Sequence, residues 1–461
     1  MKVLLAKPYN LSDHIQPSLG LGYLAASARE CHDVRILDCI KEGVTIDRLG
    51  RFLKDYSPDV LGFQFYTFDS SFIKNALALA KSIREDIVTV VGGPHPSAVP
   101  REVMDAFGKD LDYLFAGEAE IGFPKLLDAL NNKSADFSSI PGLVWRENDR
   151  VVSNPKTVVD DLDALGMPAW DLIHPEGYPE SQHGAFFRKF PIAPIMITRG
   201  CPYPCTFCAG SIVAGKKIRY RSIDNVLKEI DLLYDDFGIR EFHVIDDNFT
   251  CNKAYAKEFL RRLKGLNLDI SWAVPNGVRM DTLDEELLGL MKETGLYLIS
   301  LGIESGSDKV LRSMKKGTTT AKMRENIKMI KDAGIDMAGF FILGFPDETE
   351  ETIRRTIGFS TELGLIRANY FTYLPFPGSE SYAGLREKGE LDGIDWEHFY
   401  FMNAAYVPKA LTRKKLKGLQ RLAFARFYLR PRIIFYNLKS IKSLRHFFFL
   451  AKRFFHWLVL S

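Results

Sequence analysis

The chain of 461 residues is long enough for two or three domains, and its 46% hydrophobic and 26% charged content excludes a disordered or fibrous protein. Six cysteines in this length exclude a disulfide scaffold; three fall within eight residues, which points to metal binding in a reducing compartment. The net charge of +3 conceals a split: 14 of the 61 Lys and Arg, but none of the 58 Asp and Glu, lie beyond Glu397, so residues 1–397 carry −11 and the tail +14.

The opening MKVLLAKPYN runs into a first strand without the long apolar region or cleavage site of a signal peptide, and no stretch of about 20 apolar residues could span a bilayer. A cytoplasmic protein is expected. Over residues 1–130, VLLA, VRILD (34–38), VLGFQF (60–65), VTVVGG (88–93) and YLFAGE (113–118) read as five buried strands. Helical patterns such as Phe72 to Glu85 lie between them, which implies an α/β, doubly wound parallel sheet. Such folds bind ligands at the carboxyl ends of their strands. Those ends carry Lys7-Pro8, Gly62, Gly92-Gly93-Pro94-His95 and Gly117-Glu118-Ala119-Glu120. Each glycine cluster could equally serve as a tight turn.

Residues 131–190 are polar and interrupted by proline, with LVWRE (143–147) reading as a lone strand, and are expected to form a connector. A second β/α alternation fills 191–385. Its six candidate strands are PIMITRG, EFHVIDDN, ISWAVPNG, YLISLGIES, MAGFFILGF and RANYFTYL, with amphipathic helices such as Ile223 to Asp236 and Lys322 to Ala333 between them. Six units suit a partial (β/α)6 barrel, whose chemistry sits at the carboxyl ends of the strands. Residues 386–461 form a C-terminal extension.

The first barrel strand runs into Thr198-Arg199-Gly200-Cys201-Pro202-Tyr203-Pro204-Cys205-Thr206-Phe207-Cys208. Three thiolates on one short loop can converge on one metal centre, while Gly and Pro keep the loop from extending as strand or helix. A four-iron cluster on three cysteines leaves one iron open, which is a site for chemistry. A structural zinc would need a fourth ligand, and His243 and Cys251 stand at no usual finger spacing. Cys251 reads as an ordinary thiol.

This loop resembles the signature of the radical S-adenosylmethionine superfamily, and residues 195–375 match its barrel pattern. The resemblance implies that Cys201, Cys205 and Cys208 hold a [4Fe–4S] cluster whose open iron binds S-adenosylmethionine. Reductive cleavage then gives a 5′-deoxyadenosyl radical, with an electron donor such as a flavodoxin or ferredoxin as partner. It implies Phe207 near the adenine, Asp246 near the methionine amino end, Glu304 at the ribose and Gly344 approaching adenine through its backbone. Arg279 is a candidate for a carboxylate of substrate or S-adenosylmethionine. The acids at these strand ends also suit plain helix caps. No side chain stands out as the catalytic acid or base.

The N-terminal loops resemble those of the cobalamin-binding domain in cobalamin-dependent radical enzymes, the group with oxygen-independent porphyrin-ring cyclases and hopanoid-type C-methylases. On that resemblance Gly92, Gly93, His95 and Gly117 contact cobalamin, although Ala119 departs from the usual glycine. The D-x-H-x-x-G arrangement that supplies a histidine to cobalt elsewhere is absent. The implied function is C-methylation of an unactivated carbon on an apolar, lipid or isoprenoid-like substrate. A radical oxidative cyclase or C–C bond-forming enzyme is the first alternative, and a non-catalytic sensor of cluster and corrinoid the second.

Residues 421–461 hold eleven Phe, Tyr or Trp among nine Lys or Arg and no acid. Phe447, Phe448, Phe449, Phe454, Phe455 and Trp457 beside Lys452 and Arg453 suit a helix lying on an anionic membrane, at the inner surface of the cell. A helix docked on the acidic body would also answer the charge split. This much phenylalanine argues against a nucleic-acid arm.

Overall fold

The computed structural model describes residues 1–10, 15–133, 136–180, 182, 187–392, 394, 396, 399–441, 443, 444, 446–448 and 451. Its first sheet contains β1 (Lys2–Lys7), β2 (Asp33–Asp38), β3 (Val60–Gln64), β4 (Val88–Gly92), β5 (Tyr113–Phe115), β6 (Leu143–Glu147) and β7 (Arg150–Ser153), in the order β2-β1-β3-β4-β5-β6-β7. The first five strands run parallel. Successive side chains feed opposite faces: Val3 and Leu5 enter one core, Leu4 and Ala6 the other, so helices cover both sides.

The sheet reaches beyond the five strands read from sequence. β6 and β7 add to it antiparallel, within the stretch read as a connector. Asn148 and Asp149, both at positive φ (47° and 61°), make the two-residue hairpin turn between them. Four-residue β7 is too short to show a period, which is why the sequence pattern missed it.

The second sheet is made of β8 (Ile192–Ile195), β11 (Glu241–Val244), β12 (Ser271–Val278), β13 (Leu296–Glu304), β14 (Asp336–Leu343) and β15 (Arg367–Thr372). They are all parallel and neighbour one another in chain order, the open barrel expected. Between the first two, β9 (Thr198–Arg199) and β10 (Arg219–Tyr220) pair antiparallel and bracket the cysteine loop. Ser222, Asn252, Asp284, Thr319 and Thr349 each cap an outer helix by accepting a backbone N–H, which sets where each crossover begins. Val226, Ile230, Phe259, Leu287, Met323, Ile327, Ile353 and Ile357 on those helices pack on the outward-facing strand residues.

The first part of the basic tail docks on this barrel. Helix Arg413–Tyr428 buries Leu416, Leu419, Ala423 and Phe427 in the barrel core, the two leucines and the phenylalanine each worth roughly 1.5–3 kcal/mol of burial, and the Gln420 Nε2 donates to the Tyr370 carbonyl at 2.8 Å. The next helix, Pro431–Lys439, buries Ile433 but leaves Phe435 69% and Leu438 60% exposed. Phe449, Lys452, Arg453, Phe454, Phe455 and Trp457 lie outside the described residues. Among the described residues no helix is long and apolar enough to cross a membrane.

Candidate active site

Gly200 opens the cysteine loop at φ 95°, where a Cβ would collide with the Lys217 carbonyl oxygen; only glycine makes this turn. Cys201 N–H donates to Gly215 O, and Cys208 N–H to Cys205 O. The middle of the loop is anchored on the barrel: Thr206 N–H donates to Met314 O, while Ser381 N–H and Oγ–H donate to Thr206 O. Cys201 and Cys205 are half-buried and Cys208 is exposed. The Gly210 N–H donates to Cys208 Sγ at 3.2 Å, which favours the thiolate but is outweighed by burial against the surrounding protein, so that the free thiol's pKa is pushed up to about 11. Among the described residues no three His, Cys, Asp or Glu side chains converge on a single ion. The loop instead presents three thiols along one turn, a donor set suited to a multi-iron cluster.

Phe207 follows the anchored Thr206 and packs beside Val310, Met314, Phe345 and Tyr373. Lys316 Nζ lies 5.8 Å from its ring and 2.8 Å from Glu304 Oε1, so Phe207 and Glu304 meet through one lysine. Glu304 itself sits at φ 63°, a strained conformation for a glutamate at the end of β13. Lys316 lies in a turn between helices with no motif around it, and nothing in the sequence marked it.

Asp246 and Asp247, adjacent in sequence, differ sharply. Asp246 is buried: Oδ1 accepts Ile197 N–H at 2.8 Å, and Oδ2 accepts Thr198 N–H at 2.6 Å and Thr198 Oγ–H at 2.7 Å. Burial outweighs these bonds and pushes its carboxyl up to about 7. Asp247 is exposed to the cavity described below and makes no hydrogen bond or ion pair among the described residues. The protein crowding it on its other sides still raises its pKa.

Arg279 braces the cysteine loop: its guanidinium chelates Asp281 at 3.0 and 2.8 Å and stacks 3.8 Å over Tyr203. Gly344, at φ 84°, donates its N–H to Glu348 at 2.7 Å, and a Cβ there would meet Leu416 Cδ2 at 2.8 Å. Its lack of a side chain is therefore also a demand of the docked C-terminal helix.

A cavity of about 320 Å³ opens between the carboxyl edge of the first sheet and the barrel. From the sheet it is lined by Leu5, Gly62, Phe63, Val90, Gly92 and Gly93, the point where strand order reverses between β1 and β3. From the barrel come Met196, Thr198, Arg199, Asp246 and Asp247. Its walls are mostly apolar and partly bare. A Cβ on Gly20 would meet nothing within 4 Å, and one on Gly92 only the Phe115 Cβ at 3.8 Å. The buried Tyr23 hydroxyl, on the same wall, has no hydrogen-bond partner among the described residues. A broad apolar bed suits a large flat macrocycle.

Gly117 also lines this cavity, with φ 92° and its N–H on Ser97 Oγ. His95 does not. Its Nδ1 pairs with Thr67 Oγ at 3.1 Å, its ring lies 4.8 Å from Phe65, and burial lowers its pKa to about 4, keeping it neutral. The helix begun by Pro94 turns this side chain into the domain, so the structure separates His95 from the glycines beside it.

An open parallel barrel that presents three cysteines after its first strand, joined to a doubly wound domain across a shared cavity, is the arrangement expected of a radical enzyme with a corrinoid-binding domain. Residues 195–360 match the radical SAM superfamily and residues 11–127 the B12 binding domain. The chain is 32% identical to an uncharacterised methyltransferase of Pyrococcus horikoshii, over 94% of each chain. It is 31% identical to the cytidylyl-2-hydroxyethylphosphonate methyltransferase of Streptomyces wedmorensis, over 82% of this chain and 80% of that one. Its fold is similar to that of the cobalamin-dependent S-adenosylmethionine radical enzyme OxsB, with a TM-score of 0.75 at 17% identity over 100% of this chain and 72% of that one. The chain belongs to the cobalamin-dependent radical S-adenosylmethionine methyltransferase family. It is an enzyme whose cofactors are a [4Fe–4S] cluster, S-adenosylmethionine and cobalamin, as the sequence led one to expect.

Proposed function

We propose that this enzyme transfers a methyl group to an unactivated carbon of an apolar substrate. The observation that carries the reading is the shared cavity: one wall is the bare, apolar edge of the B12 domain, the other is the strand end and loop entry beside the cysteines. When bound, cluster, S-adenosylmethionine and cobalamin together supply a carbon-centred radical and a methyl donor. Cys201, Cys205 and Cys208 would hold the cluster. Phe207 and the Glu304–Lys316 pair would bracket the adenosyl group. Gly20 and Gly92 leave room for the corrin, and the apolar residues lining the cavity exclude water from the space between the two groups. Asp247, rather than its clamped neighbour, is the carboxylate free to meet a ligand there. His95, paired with Thr67, does not line this cavity, and on this reading it is not a ligand of cobalt.

Apolar chemistry in the substrate is supported by the cavity wall and by the tail. Ile434, Phe435 and Leu438 project from helix Pro431–Lys439 beside Arg432 and Lys439, on a tail with no acid after Glu397. That combination suits the surface of an anionic membrane on the cytoplasmic side, where a lipid or isoprenoid substrate would be met. A flavodoxin or ferredoxin is the class of donor that would supply the electron.

The test is an anaerobic incubation of reconstituted enzyme with methyl-labelled S-adenosylmethionine, a reductant and a lipid extract of its own cell. Label in an apolar product is the expected result. An unlabelled product that has been cyclised or desaturated would replace methylation with the oxidative reading. Absence of both product and 5′-deoxyadenosine would leave a sensor of the two cofactors.

A further inference from the structure

The two carboxylates of Gly117-Glu118-Ala119-Glu120 line the cavity yet are committed to arginines of the barrel. Glu120 pairs with Arg199 at 2.7 Å, and Glu118 approaches the same guanidinium at 3.3 Å. Glu118 is also gripped by Arg219 in a fork, Nη1 to Oε2 at 2.8 Å and Nη2 to Oε1 at 2.7 Å, and accepts the Val159 N–H at 2.7 Å. These side chains are between 2% and 10% exposed.

The two arginines stand at the two ends of the cysteine loop. Arg199 is two residues before Cys201, and its neighbours Ile197 and Thr198 are held from the other side by Asp246. Arg219 donates to Ala214 O at 2.7 Å, at the end of the short helix that follows Cys208. Across β9 and β10 the two arginines are direct partners. On the sheet side, the Gly117 N–H on Ser97 Oγ links the same loop to the Gly92-Gly93 turn. One acidic loop of the B12 domain thus ties down both entry and exit of the cluster loop.

Burying four charges costs desolvation that ion pairing roughly repays, so such a network adds little stability. What forked, buried pairs do provide is fixed direction. We propose, resting on the cobalamin reading above, that Glu118 and Glu120 are positioning residues that set the distance between the corrin bed and the cluster. Lysine in place of Arg199 would keep the charge but could not span Glu118 and Glu120 together.

The experiment uses the full chain reconstituted with iron, sulfide and hydroxocobalamin, then reduced so that cob(II)alamin and cluster are both paramagnetic. Pulsed electron paramagnetic resonance reads the distance between them from their dipolar coupling. The expected result is one narrow distance in the unsubstituted enzyme, lost to a broad distribution in Glu120→Gln and Arg199→Lys, with iron and cobalt contents unchanged. Arg29→Gln, which breaks the exposed Arg29–Asp171 pair, serves as control and should keep the narrow distance. The same narrow distance in Glu120→Gln and Arg199→Lys would overturn the proposal. Glu118→Gln, the most deeply tied, is read only if it retains both groups; the two milder variants decide the matter if it does not. Failure of the unsubstituted enzyme to take up cobalt would instead sink the cobalamin reading.

Discussion

The carboxyl edges of the two sheets are built on the same plan of parallel strands and crossover helices, yet they are furnished in opposite ways. The edge of the first sheet is cleared: Gly92 and the nearby Gly20 face open space, and the backbone of Gly62 and Gly93 lines the same cavity among apolar walls. The edge of the barrel is crowded with acids, and most are occupied within the protein. Asp246 holds the Ile197–Thr198 backbone, Glu348 holds Gly344 and Phe345, and Glu304 holds Lys316. Space is what a large prebuilt macrocycle needs, whereas a cluster and a small polar cosubstrate need a rigid frame. An acid at a strand end is therefore weak evidence of ligand contact until its hydrogen bonds have been traced.

The largest effects should separate the two edges completely. Alanine at Cys201, Cys205 or Cys208 is expected to abolish the cluster, measured as loss of iron and of its visible absorption, while cobalt uptake persists. Phenylalanine at Gly92 should do the converse. Gly92 is at ordinary negative φ, so the ring is free to enter the cavity, and cobalt content should fall to background with iron retained. If the Gly92 variant kept its cobalt, the cavity would not be the corrin site.

A smaller contrast lies within the barrel edge, between two neighbouring aspartates. Asp246→Ala leaves the Ile197 and Thr198 N–H groups buried without acceptors and should cost about 2–4 kcal/mol in denaturant unfolding. Asp247→Ala removes no hydrogen bond and should change stability by about 0.5 kcal/mol or less while lowering turnover. Equal losses of stability would show that Asp247 is structural as well.

Much of this was legible in the residues. Five buried apolar runs announced the first parallel sheet because strands covered on both faces leave unbroken hydrophobic patches, and β1–β5 stand where those runs lie. The cysteine spacing and the glycines at strand ends were equally plain, since few other arrangements put such residues there. What escaped was contact between distant segments. Arg199 and Arg219 gave no local signal, because their partners Glu118 and Glu120 are about 80–100 residues away and belong to another domain. The division of labour between Asp246 and Asp247 was hidden for a similar reason: which one turns to Ile197 is decided by how β8 and β11 align.

His95 offers the finest comparison, because it stands next to the cleared glycines yet belongs to the domain interior. Its folded pKa of about 4 lies below the ordinary histidine value of 6.5, the cause being burial. The stability that this neutral ring contributes is fully present above pH 6.5. It is lost as pH falls toward 4, because the unfolded chain takes up a proton that the folded chain refuses. His95→Gln, which keeps a partner for Thr67, should therefore flatten the fall in unfolding free energy between pH 6.5 and 4 by roughly 2 kcal/mol. Cobalt uptake at pH 7.5 should be unchanged in the same variant. A loss of cobalt with no change in the pH profile would return His95 to the cofactor and show that the helix begun by Pro94 turns outward when cobalamin binds.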